Sequence, residues 1–205
     1  VLGGDGTMLQ AAADLADLTV PFLGINLGTL GFLAEVNKTD IEHALLRLIE
    51  GDYEIEKRMM LTGDVFQEDR DMPEDSTQAL NDIVITRKGS LQIIIFTISV
   101  NGQFLHRYSA DGMIVATPTG STGYNLSAGG PVVDPKAQLM VISPICPHSM
   151  QHSSIVLSPE DEVTISIDTG HDGTVQEVEA SFDGNHRVTL RTGDRIVIRR
   201  SSRTT

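Results

Sequence analysis

The chain has 205 residues, of which 40% are apolar and 21% are charged, a composition typical of a folded globular protein. Its 28 acidic residues outnumber 15 Lys and Arg residues, giving a formal net charge of −13, which argues against a nucleic-acid-binding protein because that class needs a basic surface. No stretch approaches the ~18 uninterrupted apolar residues of a membrane span. The single cysteine, Cys146, excludes an internal disulfide and indicates a reducing compartment, the cytoplasm; we expect it to be a buried, inert thiol.

Residues 1–51 are predicted to be the remainder of an α/β domain. Residues 1–2 look like the end of a strand, Gly3–Gly6 make a tight turn, and a helix follows over about residues 7–17. The apolar run at residues 21–26 predicts a short buried strand.

A second helix is predicted to end this first domain. Thr39 and Glu42 fit a capping box, with Ile41 and Leu45 behind them on one apolar face, and Gly51 is a typical helix stop. The chain begins inside an apparent strand and its last five residues close no element, so we expect both ends to be cut from a longer protein.

Residues 52–205 are predicted to be all-β, because the apolar period changes to two. Asn101-Gly102 is a strong type I′ hairpin signal between strands. The one exception is Asp134-Pro135, which fits a helix start. The strands are predicted over residues 81–86, 91–100, 104–108, 113–116, 163–167, 188–190 and 196–198.

The charge is unevenly distributed. Residues 186–205 hold six Arg and one acid, Asp194. Such a segment could contact phosphate or another subunit, but an edge strand protected by charge is the more ordinary interpretation.

The segment Gly3-Gly4-Asp5-Gly6-Thr7 is the first candidate site. Glycines between a strand and a helix let the backbone approach a ligand, and the free N–H groups of a helix start favour phosphate. A carboxylate would repel a phosphate in such a loop. Asp5 makes sense if it takes a proton from a hydroxyl that attacks phosphorus, or if it holds Mg²⁺. The alternative is that Asp5 only caps the helix.

The uncharged segment at residues 117–131, T-P-T-G-S-T-G-Y-N-L-S-A-G-G-P, is the second candidate site. Its hydroxyls and backbone N–H groups suit a ribose, an adenine edge or a phosphate, and Tyr124 could stack on a base. Asp111-Gly112 and Asn81-Asp82 are each ordinary turn or cap sequences alone and gain value only in combination. No P-loop motif and no credible metal site occurs in the sequence.

Taken in this order, the motifs resemble those of bacterial NAD kinases, and the resemblance covers essentially the whole chain. G-G-D-G alone is shared with diacylglycerol and sphingosine kinases, whereas the long second motif is much more specific. The matching segments are G-G-D-G-T at 3–7, G-I-N-L-G-T-L-G-F-L at 24–33, N-D at 81–82, D-G at 111–112, the segment at 117–131 and S-F-D-G-N at 181–185.

This resemblance implies an incomplete Rossmann-like α/β part at residues 1–51 and an all-β, NAD-binding domain at residues 52–205. It implies that Asp5 is the catalytic base for the 2′-hydroxyl of the adenosine ribose. The implied contacts to the bound nucleotides are Asp5, Gly6, Phe32, Asn81, Asp82, Gln92, Ser109, Asp111, Thr122, Gly123, Tyr124, Asn125, Leu126, Ser127 and Asn185. Ser109 stands where many relatives have Arg, and Asn185 stands where they often have Gln.

The activity that the resemblance implies is transfer of a phosphoryl group from ATP, or from polyphosphate, to NAD with Mg²⁺, giving NADP. It also implies a cytoplasmic homo-oligomer, a tetramer or dimer. Two alternatives are a lipid kinase of the same superfamily and a nucleotide-binding module without catalysis.

Overall fold

The computed structural model describes residues 1–15, 18, 20–28, 31–89, 93–148 and 153–204. They fall into two compact units, Val1–Arg58 with Arg203–Thr205, and Met59–Ser202. The predicted boundary after residue 51 stays a prediction. In the described part of the chain no helix is long and apolar enough to cross a membrane.

The first unit is a small α/β arrangement. Its helices are α1 (Asp5–Asp14) and α2 (Ile41–Glu50), and its short strands are β1 (Ile25–Asn26) and β2 (Val36–Asn37). Strand β1 pairs in parallel with β2 and with Leu2, so α1 is the crossover of a β-α-β connection. The predicted α/β character is therefore confirmed.

Three local predictions in this unit were wrong in detail. Helix α1 starts at Asp5, not Thr7, so Asp5 lies inside the first turn. The predicted strand at residues 21–26 is confined to Ile25–Asn26. The capping box does not form, because a 3-10 turn at Lys38–Asp40 puts Thr39 before the helix and makes Asp40 the N-cap, without a side-chain cap bond. The predicted stop at Gly51 is confirmed, with a left-handed φ of 75°.

The second unit is a sandwich of two six-stranded sheets. One sheet has the order β10-β9-β8-β5-β12-β13 and the other has the order β4-β3-β14-β11-β6-β7. The strands are β3 (Met59–Phe66), β4 (Asp75–Ala79), β5 (Asp82–Arg87), β6 (Ile94–Val100), β7 (Gln103–Ala110), β8 (Gly112–Ala116), β9 (Met140–Ile145), β10 (Ile155–Leu157), β11 (Val163–Ile167), β12 (Glu177–Phe182), β13 (His186–Arg191) and β14 (Arg195–Thr204).

The core of the sandwich lies between the inner faces of the two sheets. Alternate residues of the inner strands, such as Ile83 and Ile85 of β5 and Ile196 and Ile198 of β14, are completely buried there. A second cluster, formed by Val84, Ile114, Ala116 and Ile145, covers part of the outer face of the first sheet. Burial on both faces explains why β8 is apolar throughout and shows no alternation.

Turn predictions in this unit had mixed outcomes. Asn101 and Gly102 have φ values of 52° and 74°, as a type I′ hairpin requires. The helix predicted after Asp134-Pro135 is absent, because the Asp134 carboxylate accepts a hydrogen bond from Lys136 N at 2.9 Å and makes a turn. Cys146 is exposed, not buried, because it follows β9 in a turn with φ 45°.

The basic segment proved to be largely neutralised. Arg187 contacts Glu179 at 3.3 Å, Arg199 contacts Asp64 at 2.5 Å and Arg200 contacts Glu160 at 3.3 Å. Strand β13 is an edge strand, as expected, whereas β14 lies inside its sheet. The arginines therefore pair with the acidic surface of the sandwich itself.

Candidate functional site

Asp5 is fixed by a segment far away in the sequence. Its Oδ2 accepts a hydrogen bond from Phe32 N at 2.8 Å, and its Oδ1 accepts one from Leu33 N at 3.0 Å. The helix N-cap is Gly4, with no side-chain cap bond. Asp5 is therefore not a capping residue: its carboxylate is held at the start of α1 by two backbone amides.

Close packing around Asp5 requires a glycine at position 31. A Cβ built there would lie 2.1 Å from Asp5 Oδ1, a distance that real Cβ atoms essentially never show. Gly6 is the reverse case, because it is exposed and has open space around it. Phe32 is also exposed, at 69%. The first unit thus presents an oriented carboxylate beside an open helix start, which is a favourable place for anions.

In the second unit, residues 117–131 fold as a compact loop that supplies most of its own hydrogen bonds. It contains a 3-10 turn at Thr119–Thr122 and helix α3 (Tyr124–Ser127). The Ser121 hydroxyl donates to Pro118 O at 2.7 Å and accepts from Val133 N at 3.0 Å. These polar side chains build the loop, so they are not all available to a ligand.

Asn125 shows this most clearly. It is completely buried, its amide nitrogen donates to Ser121 O and Pro131 O, and its oxygen accepts from the Ser143 hydroxyl. Its predicted contact with a nucleotide has no support from the position of the side chain. The neighbouring predicted residues face outward or are partly exposed; they are Thr122, Gly123, Tyr124, Leu126 and Ser127.

An open groove of about 450 Å³ lies on the outer face of the first sheet. It unites three predicted residues, Asn81, Asp82 and Tyr124. The sequence motifs gave no role to the remaining lining residues, although S-F-D-G-N contains three of them. These additional residues are Val84, Thr86, Glu179, Ser181, Asp183, Gly184 and Arg187.

The groove contains a buried carboxylate with altered acidity. Asp82 is only 7% exposed. Burial, followed by the nearby negative charge of Asp183, raises the pKa of Asp82 to about 7. Burial also raises the pKa of Asp183, while hydrogen bonds from three backbone amides oppose that rise. Because the two adjacent acids repel each other when both are charged, their titrations are coupled.

Other predicted residues lie elsewhere. Asp111 and Ser109 lie near the end of β8 that is opposite the 117–131 loop, and Asp111 is paired with Arg87 at 2.8 Å. Asn185 is exposed in the turn after β12. Gln92 lies outside the described residues. Asp111, Ser109 and Asn185 do not line the groove that contains Asp82.

An oriented carboxylate at a helix start and an acidic groove beside a glycine- and hydroxyl-rich loop define a nucleotide-handling protein with an α/β part and a β-sandwich part. Residues 1–53 match the ATP-NAD kinase N-terminal domain, and residues 80–205 match the ATP-NAD kinase C-terminal domain. The chain belongs to the NAD kinase family. The predictions of this family, of a phosphotransferase and of the fold class are thereby confirmed.

Relatives support this assignment across nearly the whole chain. The chain is 47% identical to the NAD kinase of Lachnoclostridium phytofermentans, over 98% of this chain and 70% of that protein. A crystal structure of yeast NADH kinase complexed with NADH matches 98% of this chain and 57% of its own, at 33% identity and a TM-score of 0.89. An Archaeoglobus fulgidus NAD kinase in complex with ATP matches with a TM-score of 0.81 and 29% identity, over 100% and 74% of the two chains.

Proposed function

We propose that this chain transfers the terminal phosphoryl group of ATP to the 2′-hydroxyl of the adenosine ribose of NAD, giving NADP and ADP. The observation that carries this proposal is the geometry of Asp5, whose carboxylate is oriented by Phe32 N and Leu33 N beside an exposed helix start. The kinase names of the relatives supply the reaction class.

Asp5 is the proposed general base. As the ribose oxygen forms its bond to the γ-phosphorus, the hydroxyl proton passes to the Asp5 carboxylate and the bond between the γ-phosphorus and ADP breaks. The two amide bonds occupy one acceptor position on each Asp5 oxygen, and each oxygen has a second lone pair for the proton. Fixing the carboxylate beforehand reduces the entropic cost of reaching the reactive geometry.

A divalent cation fits this site as a companion of the nucleotide phosphates. The described residues contain no group of three or more His, Cys, Asp or Glu side chains that could hold a metal alone. Mg²⁺ is commonly bound by one or two carboxylates together with substrate phosphates, and Asp5 is a suitable carboxylate for that arrangement. When bound, Mg²⁺ would spread the negative charge of the transferred phosphoryl group.

The second unit is proposed to recognise the dinucleotide. Tyr124 is 46% exposed at the groove and offers a face on which a base could stack. Asp82 and Asn81 provide the hydrogen-bonding groups of the groove, and a carboxylate suits the paired hydroxyls of a ribose. This role explains why the chain keeps a costly buried carboxylate in an open groove.

The decisive experiment is NADP formation from NAD, ATP and Mg²⁺, measured through an NADP-specific dehydrogenase. Asp5→Asn should lower turnover by about 10²–10⁴, the usual contribution of a general base. Asp14→Asn is the matched control, since Asp14 ends the same helix and its exposed carboxylate accepts a hydrogen bond from the Gln10 side chain. Turnover of Asp5→Asn within tenfold of the unaltered chain would remove Asp5 from this role.

The same assay separates the alternatives. The comparisons do not favour a lipid kinase or a nucleotide-binding module without catalysis. NAD binding without NADP formation would favour the module without catalysis. Replacing ATP by polyphosphate tests the wider donor range. Cytoplasmic location and homo-oligomeric assembly stay predictions, to be checked by cell fractionation and by light scattering.

A further inference from the structure

The backbone of the segment Leu80, Asn81 and Asp82 is hydrogen-bonded by Asp183 on one side and by Thr117 on the other. Their backbone N–H groups donate to the Asp183 carboxylate at 2.8, 2.7 and 3.1 Å. In the opposite direction, Asp183 N donates a hydrogen bond to Asp82 O at 3.0 Å. On the other side, the Thr117 hydroxyl donates to Leu80 O at 2.6 Å and Thr117 N donates to Asn81 O at 2.8 Å.

The position of Asp183 depends on an unusual backbone. Its φ is 49° and that of Gly184 is 73°, and together with Asn185 the two residues form the tight turn between β12 and β13. Left-handed φ values favour Gly, Asn and Asp over other residues. The turn directs the carboxylate of Asp183 at the start of β5, which lies more than a hundred residues earlier in the sequence.

Asp183 also places a second negative charge beside Asp82. Burial and this charge raise the pKa of Asp82 to about 7. Glu179, Arg187 and Tyr124 are the other charged or titratable side chains of the groove, and Arg187 is bonded to Glu179 at 3.3 Å. Since Asp183 accepts three N–H bonds and the described structure gives none to the Asp82 carboxylate, a proton taken up by the pair goes to Asp82.

We propose that Asp183 is a positioning residue for the dinucleotide: its carboxylate fixes the backbone of Asn81 and Asp82 at the groove, and its negative charge acts on the neighbouring Asp82 carboxylate. Thr117 anchors the same segment from the 117–131 loop. This inference rests on the proposed function and extends it to a residue that does not itself touch the reacting atoms.

A defined pH dependence follows. Below about pH 7 Asp82 is protonated and loses acceptor capacity, so the affinity for NAD falls. If Asp183 becomes neutral, the repulsion disappears and the pKa of Asp82 drops, although burial still keeps it above its usual value. In a plot of kcat/KM for NAD against pH, the fall on the acidic side, here called the acid limb, therefore moves to lower pH.

Asp183→Asn is the informative variant, because Asn tolerates the left-handed turn and keeps the size of the side chain. The KM for NAD should rise about 10-fold or more, since hydrogen bonds to a charged group are lost. The kcat and the KM for ATP should stay within threefold of the unaltered chain. The acid limb should shift to lower pH.

Asp194→Asn is the matched control. Asp194 also accepts two backbone bonds, from Arg191 N at 2.8 Å and Glu68 N at 2.9 Å, but it does not line the groove. It should lower the melting temperature and leave the KM for NAD and the acid limb unchanged. Equal effects of the two variants on these parameters, or an unchanged limb in Asp183→Asn, would overturn the proposal.

A measurement on the unaltered chain covers the case in which Asp183→Asn does not fold. The amide proton shifts of Leu80, Asn81 and Asp82 sense the charge of the nearby Asp82 carboxylate, so they should titrate together with a midpoint near pH 7. Shifts that stay constant between pH 5 and 9 would refute the proposal. If the unaltered chain forms no NADP, the proposed function fails, while these shifts still decide whether Asp183 and Asp82 are linked.

Discussion

Replacing Gly31 by Ala should disable the chain through Asp5. The added Cβ would lie 2.1 Å from Asp5 Oδ1 and 2.4 Å from Asp5 Cγ, so the groups must separate by about 0.9 Å to reach the 3.0 Å below which Cβ contacts essentially never occur. A displacement of about 1 Å at a reacting group can cost about 10²-fold in rate. We therefore expect kcat for NADP formation to fall about 100-fold, although no catalytic side chain is removed.

The control lies in the same segment of the chain. Gly28 has open space where its Cβ would be built and no left-handed φ, so Gly28→Ala should retain nearly full activity. Both variants are assayed by NADP formation and by thermal melting. If Gly31→Ala keeps more than a third of the kcat of Gly28→Ala, the tight packing against Asp5 does not control catalysis and the argument fails.

Two further predictions concern the second unit. Asn125→Ala leaves the Ser121 and Pro131 carbonyls without their buried donor and should lower the free energy of unfolding by about 2–4 kcal/mol in urea titrations; a loss below about 0.5 kcal/mol would contradict the role given to this amide. Asp82→Asn should stabilise the chain at pH 8 and weaken NAD binding. Because the folded-state pKa of Asp82 is about 7 and its ordinary value is 3.8, the folded state holds the proton more tightly, and Asp82 destabilises the fold as pH rises from about 4 to 7. The variant should remove this part of the pH dependence of stability, which amounts to roughly 4 kcal/mol. Identical urea unfolding curves for the variant and the unaltered chain at pH 8 would refute this prediction.

Local signals in the sequence predicted seven of the twelve strands that the described residues form in the sandwich, and gave no strand for β3, β4, β9, β10 or β12. The alternation of apolar residues located β11, and Asn101-Gly102 located a hairpin, because both depend on neighbouring residues. The helix predicted after Asp134-Pro135 was wrong because the Asp134 side chain bonds a different local partner. Asp134 resembles a helix N-cap, but its carboxylate bonds Lys136 N in a turn, and no apolar helical face follows to favour a helix.

The candidate site was predicted in part for the same reason. Asp5, Asn81, Asp82 and Tyr124 stand in recognisable motifs, and the structure places the last three in one groove. Asp183 stands within a matching motif that does not indicate its role, because its partners are 101 to 103 residues away. A sequence pattern does not show which distant backbone a carboxylate will hold.

The 117–131 loop shows why a binding motif should be divided by what its side chains contact. The side chains of Ser121 and Asn125 make their hydrogen bonds within the loop and to neighbouring segments, whereas Tyr124 is exposed at the groove. Replacing an inward residue weakens the loop as a whole, so stability and every ligand contact should change together. Replacing Tyr124 removes one face of the groove, so the KM for NAD should change while stability stays the same. The motif therefore contains two kinds of residue, those that face inward and those that face the groove. Many of its hydroxyl and amide side chains do not face a ligand. They hold the Tyr124 ring and the Asn81-Asp82 segment in place at the groove.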